Sequence, residues 1–334
     1  MTPLVSILIP AYNAQRWIAD TIQSALAQTW PRKEIIVVDD GSTDQTLSVA
    51  RRFASRTVSV VAQPNQGASA ARNKALELCQ GDYIQWLDAD DLLSPDKIVR
   101  QMDAAQKCGS KRTLISCGWA YFNYRPGKAR FVPTPLWCDL SPLEWLLRKW
   151  EHNLHMQTAT WLVSREVTVA TGLWDTRLFR GNDGEYFFRA IMNSDGVHFV
   201  PDAKVFYRVS GFSSLSYIGF SDKKMEAQFL SMKLQIGYLR TMEDSERIRA
   251  ACLIFLQNWL SVFYPNRPDI VEQARDLAAD LGGKLDIPRL QWKYAWIQPI
   301  LGYDLAKRAQ LLLLQIKCLV ASSWDKTLFR LEKR

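Results

Sequence analysis

Tyr83-Ile84-Gln85-Trp86-Leu87 runs directly into Asp88-Ala89-Asp90-Asp91, an apolar stretch that stops at three carboxylates. The apolar part has the length and composition of a buried strand. Three like charges at its end repel one another unless a cation or hydrogen-bond donors neutralise them. Hard divalent cations take oxygen ligands, and Mg²⁺ commonly bridges one or two carboxylates and substrate phosphates. A helix cap and solvated turn ahead of Ser94-Pro95 would absorb one of the acids, so on these residues alone both readings stand.

Outward from this stretch the pattern repeats. Val5–Ile9, Glu34–Asp39 and Val58–Ala62 are predicted strands, rich in Val and Ile. Between them Ile18, Ile22 and Leu26 recur at helical spacing, Leu47, Arg51 and Ala54 do so less cleanly, Ala68–Leu78 is a third helix, and Ser94-Pro95 is predicted to open a fourth. Strand–helix alternation of this kind predicts an α/β fold: a mostly parallel central sheet with helices on both faces. Ligands of such sheets bind beyond the carboxyl ends of the strands, where Tyr12-Asn13, Asp39-Asp40 and Asp88 to Asp91 fall. Further strands are predicted at Leu114–Phe122, Ala129–Val132, Ala159–Ser164, Val197–Val200 and Val205–Val209. Ser141-Pro142-Leu143-Glu144 is a capping box that opens a helix to about Trp150. After Ser221 apolar residues recur at helical spacing, through Met225, Phe229, Met232 and Ile236 and on to Leu305–Val320. The predicted organisation is therefore a catalytic domain over 1–220, in halves 1–110 and 111–220, and a helical region over 221–334.

Two more polar motifs follow predicted strands. In Asp39-Asp40-Gly41-Ser42-Thr43-Asp44 a carboxylate could accept from a nucleotide base and the glycine allow close approach, though a capped turn uses the same residues. Asn65-Gln66-Gly67-Ala68-Ser69-Ala70-Ala71-Arg72-Asn73 is a loop entering a helix, with Arg72 placed to face an anion. Together with Pro10-Ala11-Tyr12-Asn13 and Asp88 to Asp91, in this order and spacing, these motifs resemble family 2 glycosyltransferases from about Pro3 to Asp96. The resemblance implies a nucleotide-diphospho-sugar transferase fold of the GT-A type and an inverting, metal-assisted reaction, with UDP the usual nucleotide. It also implies that Pro10, Tyr12, Asn13, Asp39, Asp40 and Arg72 line the nucleotide pocket, Asp40 accepting from the base. Asp88 and Ala89 would hold the ribose or sugar side, and Asp90 a Mg²⁺ or Mn²⁺ ion. Gly181-Asn182-Asp183-Gly184-Glu185-Tyr186-Phe187-Phe188-Arg189 is similar to the family's Gly-Glu-Asp-x-Asp-Leu-x-x-Arg stretch, which makes Asp183 the general base with Glu185 as the alternative. Two departures stand out: Asn182 replaces a glutamate, and the histidine often found after Tyr207-Arg208 is missing from Val209-Ser210-Gly211. The missing histidine implies either weaker metal affinity or phosphate contacts from Arg208, Ser213 and Ser214 instead. His152 and His155 are read as a helix end or an acceptor contact, and His198 as structural.

Composition bounds the rest. A chain of 334 residues, 48% hydrophobic and 23% charged, is an ordinary folded protein. Its six cysteines are scattered without a Cys-x-x-Cys pair, against a zinc site or a disulfide framework and in keeping with a reducing cytoplasm. No run reaches the roughly 20 apolar residues of a membrane span. Arg289 to Arg334 holds nine Lys/Arg against Asp304, Asp325 and Glu332, most of the net charge of +8, interleaved with Trp292, Tyr294, Trp296 and Trp324. A basic, Trp-bearing segment predicts contact with an anionic membrane surface, hence a peripheral place at the inner face, and a glycan or lipid-linked acceptor; nucleic acid has only the charge in its favour. A dinucleotide-dependent oxidoreductase is excluded because Pro10-Ala11-Tyr12-Asn13 stands where Gly-x-Gly-x-x-Gly would be. A nucleotide-sugar-binding protein without strong catalysis is the remaining alternative, and the two departures are its only support.

Overall fold

A strand covered on both faces needs apolar residues without alternation. Val5–Ala11 (β1) and Lys33–Asp40 (β2) are built this way, and both are buried along nearly their whole length. The computed structural model describes residues 2–210, 218–219, 221–290 and 298–332. The other strands are Val58–Gln63 (β3), Tyr83–Trp86 (β4), Leu92–Leu93 (β5), Thr113–Phe122 (β6), Leu162–Ser164 (β7) and Gly196–Arg208 (β8), and they form one sheet in the order β3-β2-β1-β4-β7-β6-β8-β5. The half at β3-β2-β1-β4 is parallel, as is the β6–β8 pair. β7 runs antiparallel to β4 and β6, and β5 antiparallel to β8, so the sheet is mixed beyond β4 while most of its pairing remains parallel. The helices of this region are Ile18–Leu26 (α1), Thr46–Arg51 (α2), Ala68–Leu78 (α3), Lys97–Lys107 (α4), Pro142–Glu151 (α5), Arg165–Thr171 (α6) and Asn182–Met192 (α7).

Several local expectations shift, each for a physical reason. The helix expected from Ser94-Pro95 begins only at Lys97. Leu92-Leu93 pairs with Phe206 and Val205, and the Ser94 amide donates to the Lys204 carbonyl at 3.0 Å, which keeps the chain extended up to Ser94 and leaves Pro95-Asp96 as a turn before the helix. Val197–Val200 and Val205–Val209 are one strand, β8, whose register against β6 slips between Cys117 and Gly118. Ala159–Ser164 divides into a 3-10 turn over Thr158–Thr160 and the short β7. Ala129–Val132 is no strand: it finds no pairing partner after the turn at Pro126–Lys128. The capping box forms as read, with Ser141 Oγ accepting from the Glu144 amide. All six cysteines are unpaired.

One polar network crosses the core between β4 and α4. Lys97 is fully buried and donates to Gln85 Oε1, while Gln85 Nε2 donates to the carbonyls of Trp86 and Ala159. Burial pushes the Lys97 ammonium down to about 8. Gln101 Nε2 adds bonds to the carbonyls of Ile115 and Thr160. The network satisfies backbone groups where the short β7 leaves the ladder incomplete.

The chain divides into two compact units, Met1–Phe122 with Ala129–Arg208, and Asn123–Lys128 with Val209–Arg334. The second unit holds Asp222–Met242 (α8), Glu246–Phe263 (α9), Pro268–Asp280 (α10) and Gln298–Glu332 (α11), the last interrupted at Gly302. Within it Arg125 pairs with Asp325 at 2.7 Å and Glu332 at 2.8 Å, and the Tyr124 amide donates to Asp325.

Gly81, at the entrance of β4, is required by close approach. A Cβ there would lie 2.6 Å from the Ser6 amide nitrogen and 2.9 Å from the Tyr83 carbonyl oxygen, both backbone atoms. Gly81→Ala is expected to destabilise the fold by about 1–3 kcal/mol through overpacking, seen as a lower urea midpoint at unchanged slope. An unchanged midpoint would show that β1 and β4 can separate freely here.

Candidate active site

The carboxyl ends of β2, β1 and β4 lie side by side, and the loops leaving them are laced together. Asn13 adopts a left-handed φ of 48°, a conformation asparagine tolerates. Its amide donates to Ser42 Oγ at 3.0 Å, and its Oδ1 accepts from the Thr43 amide at 2.9 Å. The Ala14 amide donates to Thr46 Oγ1 at 2.7 Å. Asn13 therefore braces the loop, whereas Tyr12 beside it is 51% exposed and Pro10 half-buried.

Asp39 and Asp40 are both buried but differ in their partners. Asp40 accepts from Gln63 Nε2 at 2.7 Å and the Gln66 amide at 3.0 Å through Oδ1, and from the Gly67 amide at 2.8 Å through Oδ2. It thus fixes the turn that starts α3. Gly41 makes room for that turn: its φ is +70°, and a Cβ would meet the Asn65 nitrogen at 2.7 Å. Asp39 Oδ2 accepts from the Ser42 amide at 3.1 Å, while its equally buried Oδ1 has no partner within the protein. A buried carboxylate oxygen without a donor is an exception that calls for one.

At the end of β4 the three acids have three environments. Asp88 pairs with Arg72 at 2.8 Å. The Arg72 guanidinium lies 4.4 Å over the Trp174 ring, which stacks on Tyr186 at 4.0 Å and meets Trp86 edge-on. Asn73 holds this arrangement by bonding both the amide and the carbonyl of Trp174, at 2.8 and 2.9 Å. The buried Ala89 gives its carbonyl to Thr21 Oγ1. Asp90 is half-buried, and its carbonyl accepts from Arg208 Nε at 2.7 Å. Asp91 is fully buried and accepts from Gln157 Nε2 at 2.5 Å and the Arg208 amide at 2.8 Å. Burial, reinforced by the charges of Asp90 and Asp88, holds its carboxyl well above the usual carboxylate range. Arg208 is itself buried, its guanidinium 4.2 Å from the Trp17 ring and 4.4 Å from that of Phe122, with Asp20 at 3.4 Å. It clamps the acidic turn to β8. Ser213 and Ser214 lie outside the described residues.

α7 brings the second acidic motif. Gly181 caps it in a left-handed conformation. Asn182 donates through Nδ2 to Ser69 Oγ at 3.1 Å and accepts from the Asp183 amide at 2.8 Å, bracing α7 against α3. Glu185 is buried in a two-pronged pair with Arg189, at 2.5 and 2.9 Å. Asp183 is half-buried. Burial pushes its carboxyl up, but His155, Arg72, the Gly184 amide and Lys149 outweigh that and hold it below the usual range. Arg72 thus pairs with Asp88 and also acts electrostatically on Asp183, residues 95 apart in the chain.

Lys149 and Arg180 around Asp183, and Gln157 under Asp91, carry no motif that sequence reading could use, while His155, read from sequence as a helix end or an acceptor contact, also acts on Asp183. His155 is exposed, edge-on to Trp119 at 5.4 Å. His152 closes the carboxyl end of α5, and His198 bonds Asp139 at 2.7 Å at the surface.

Residues 6–168 match the family described as Glycosyl transferase family 2. An uncharacterized glycosyltransferase of Rickettsia typhi is 31% identical over 208 residues, 62% of this chain and 64% of that protein. The chondroitin synthase of Escherichia coli is 43% identical over 107 residues, 31% of this chain and 16% of the synthase. The chain therefore spans less than two thirds of the length of these relatives. Among solved structures, residues 1–349 of TarS from S. aureus in complex with UDP-GlcNAc superpose with a TM-score of 0.65 at 18% identity, covering 83% of this chain and 81% of that one. The same protein bound to UDP gives a TM-score of 0.61, covering 92% and 91%. The likeness shows a shared fold.

The Trp174 tether provides a direct check on this geometry. Asn73→Ala removes two hydrogen bonds to one backbone residue and is expected to destabilise the fold by about 2 kcal/mol, measured by chemical denaturation. Parental stability would show that Trp174 is held by its ring contacts alone.

Proposed function

With residues 6–168 carrying a family 2 glycosyl transferase domain, we propose that the protein transfers a sugar from a nucleotide diphosphate, UDP in the first instance, to a hydroxyl of a glycan or lipid-linked acceptor, inverting the anomeric centre. The observation that carries this reading is the position of Arg72. It pairs with Asp88 of the nucleotide-side acids and acts electrostatically on Asp183, which links the two motifs the reaction needs. The TarS structures with UDP-GlcNAc and UDP support the choice of nucleotide.

In this reading Asp39 rather than Asp40 accepts from the base, because Asp40 already takes three donors and Asp39 Oδ1 takes none. Tyr12, exposed at the end of β1, offers its ring to the base, and Pro10 lines the same strand end. Asp88 and Ala89 face the ribose and sugar side. Among the described residues no three His, Cys, Asp or Glu side chains converge as a metal cage. A hard cation shared with phosphates needs only one or two carboxylates, and Asp90 with Asp88 supplies that donor set. Mg²⁺ or Mn²⁺ held there would stabilise the charge that develops on the departing diphosphate. Asp183 takes the proton of the acceptor hydroxyl. Because its carboxyl is held below the usual range, it is in the basic form throughout neutral pH. Glu185, neutralised by Arg189, is the alternative base. Residues 1–220 form the catalytic domain in this reading and 221–334 the helical region.

Asp183→Asn is expected to lower transfer by roughly 10² or more while leaving UDP affinity nearly unchanged. Parental turnover in Asp183→Asn together with a large loss in Glu185→Gln would move the role to Glu185.

The helical region supports peripheral binding to an anionic membrane. No helix among the described residues is long and apolar enough to cross a membrane. On α11, however, Leu312, Ile316, Leu319, Val320 and Trp324 are all at least 48% exposed, and Lys317, Lys326 and Arg330 share the helix. Trp292, Tyr294 and Trp296 lie outside the described residues. Such a helix can lie in the interface while its basic residues each add about 1 kcal/mol near an anionic surface. Ile316→Glu with Val320→Glu is expected to abolish co-sedimentation with vesicles containing phosphatidylserine, and raised salt to weaken it in the parent. Equal sedimentation of parent and variant would refute the membrane reading.

A further inference from the structure

β3 is an end strand of the sheet, and among the described residues it pairs only with β2. Its register sets Val58 opposite Ile35, and the Ile35 amide donates to the Thr57 carbonyl at 2.8 Å. In a parallel pair alternate residues turn their backbone groups to the same neighbour. Thr57, Ser59, Val61 and Gln63 therefore face β2, while Val58, Val60 and Ala62 turn their N–H and C=O outward. A turn at Ser55 satisfies Val58, whose amide donates to Ser55 Oγ at 3.2 Å and whose carbonyl accepts from the Ser55 amide at 3.0 Å. Among the described residues nothing bonds the outward groups of Val60 and Ala62. The other end of the sheet is less open, because β5 is two residues long and packs against α1.

The open edge begins in a patch of one sign. No Asp or Glu occurs between Asp44 and Glu77, a stretch that holds Arg51, Arg52, Arg56, Arg72 and Lys74. Arg72 and Lys74 are paired, with Asp88 and Glu77. Arg51, Arg52 and Arg56 are exposed, and among the described residues none of their side chains has a hydrogen bond or ion pair. Tight turns hold the three together. The Phe53 amide donates to the Ala50 carbonyl, the Ala54 amide to that of Arg51, and Ser55 closes on Val58. The patch thus lies at the start of β3, at the opposite end of the strand from Gln63 and its partner Asp40. Two ordinary duties leave part of this charge unexplained. Cations at a helix carboxyl end offset its dipole, but α2 has only six residues and Arg56 lies beyond it. A charge on an edge strand deters pairing with another copy, which a single residue would achieve. Like charges facing across a two-fold axis repel a second copy of this chain, whereas an acidic strand is attracted.

We propose that the β3 edge is a docking site for an acidic, extended segment of another protein. The segment adds as a strand beside β3 and exchanges main-chain hydrogen bonds with Val60 and Ala62, while its carboxylates meet Arg51, Arg52 and Arg56. Main-chain bonds supply affinity with little regard to side chains, and the arginines select for acidic residues at one end of the segment. Pro64, the next outward position, has no N–H to offer and limits the added strand to the span of Val60 and Ala62. The site is separate from the sugar-transfer chemistry and does not depend on it.

The test titrates the full chain with three fluorescent peptides at low salt, read by anisotropy. The first carries a run of glutamates followed by alternating valine and threonine. The second has lysines in place of the glutamates, and the third is the first with alternate backbone nitrogens of its valine–threonine part methylated. The first peptide is expected to bind roughly tenfold or more tighter than either of the others, and to slow hydrogen exchange over residues 58–63. Arg52→Glu with Arg56→Glu is expected to weaken that binding by roughly tenfold or more. Ala62→Pro removes the outward N–H at an exposed position and is expected to weaken it without changing the charge. No binding of the first peptide, equal affinity for it and either analogue, unslowed exchange over residues 58–63, or parental affinity in the arginine variant would each overturn the proposal. Two further results would also overturn it by giving the edge to another occupant. One is a dimer of the parent chain that Ala62→Pro dissociates. The other is loss of binding to phosphatidylserine vesicles in the arginine variant with peptide binding unaffected.

Discussion

Three carboxylates at one strand end cannot all remain charged, close together and unsolvated. The structure meets this constraint separately at each residue. Asp88 is neutralised by a guanidinium, Asp90 keeps partial access to solvent, and Asp91 is withdrawn into the protein, where burial favours its neutral form. Each solution recruits a different part of the chain. Arg72 draws in α3 and, through its ring contact, Trp174; Asp91 draws in Gln157 and the backbone of Arg208. The strands and helices around the site are thus tied to the way its charges are separated.

The same logic explains which parts were legible in the sequence. Strands β1, β2 and β4 and the polar motifs at their ends could be read because a buried parallel strand leaves a continuous apolar run, and its end leaves an abrupt change to Asp, Asn or Gly. Both features are local. The mixed half of the sheet was read less well: β7 is three residues long, and the slip between β6 and β8 made one strand look like two. Ala129–Val132 has strand composition but nothing to pair with, and composition carries no information about partners.

At the site, residue types were legible and their hydrogen-bond partners were not. Asp39 and Asp40 are adjacent and chemically identical, yet one caps a turn with both oxygens while the other leaves an oxygen unclaimed. Asn13 and Arg208 had the chemistry to contact a nucleotide, and the fold engages both in holding loops together. His155 and Lys149 sit 28 and 34 positions before Asp183 and could be connected with it only by the packing of α5 and α7. Asn182 departs from the family's glutamate, and no local pattern reveals that its amide ties α7 to α3 through Ser69.

The excursion at Asn123–Lys128 bears on how such a chain can be inherited. The polypeptide leaves the first compact unit after Phe122, contributes six residues to the second, and returns at Ala129 long before the first is complete. Arg125 in that excursion pairs with Asp325 and Glu332 at the far end of the sequence. A recombination that replaced everything after Arg208 would carry in new residues at 325 and 332 while leaving Arg125 behind. The C-terminal region is therefore not a cassette that a single crossover could exchange without separating Arg125 from Asp325 and Glu332.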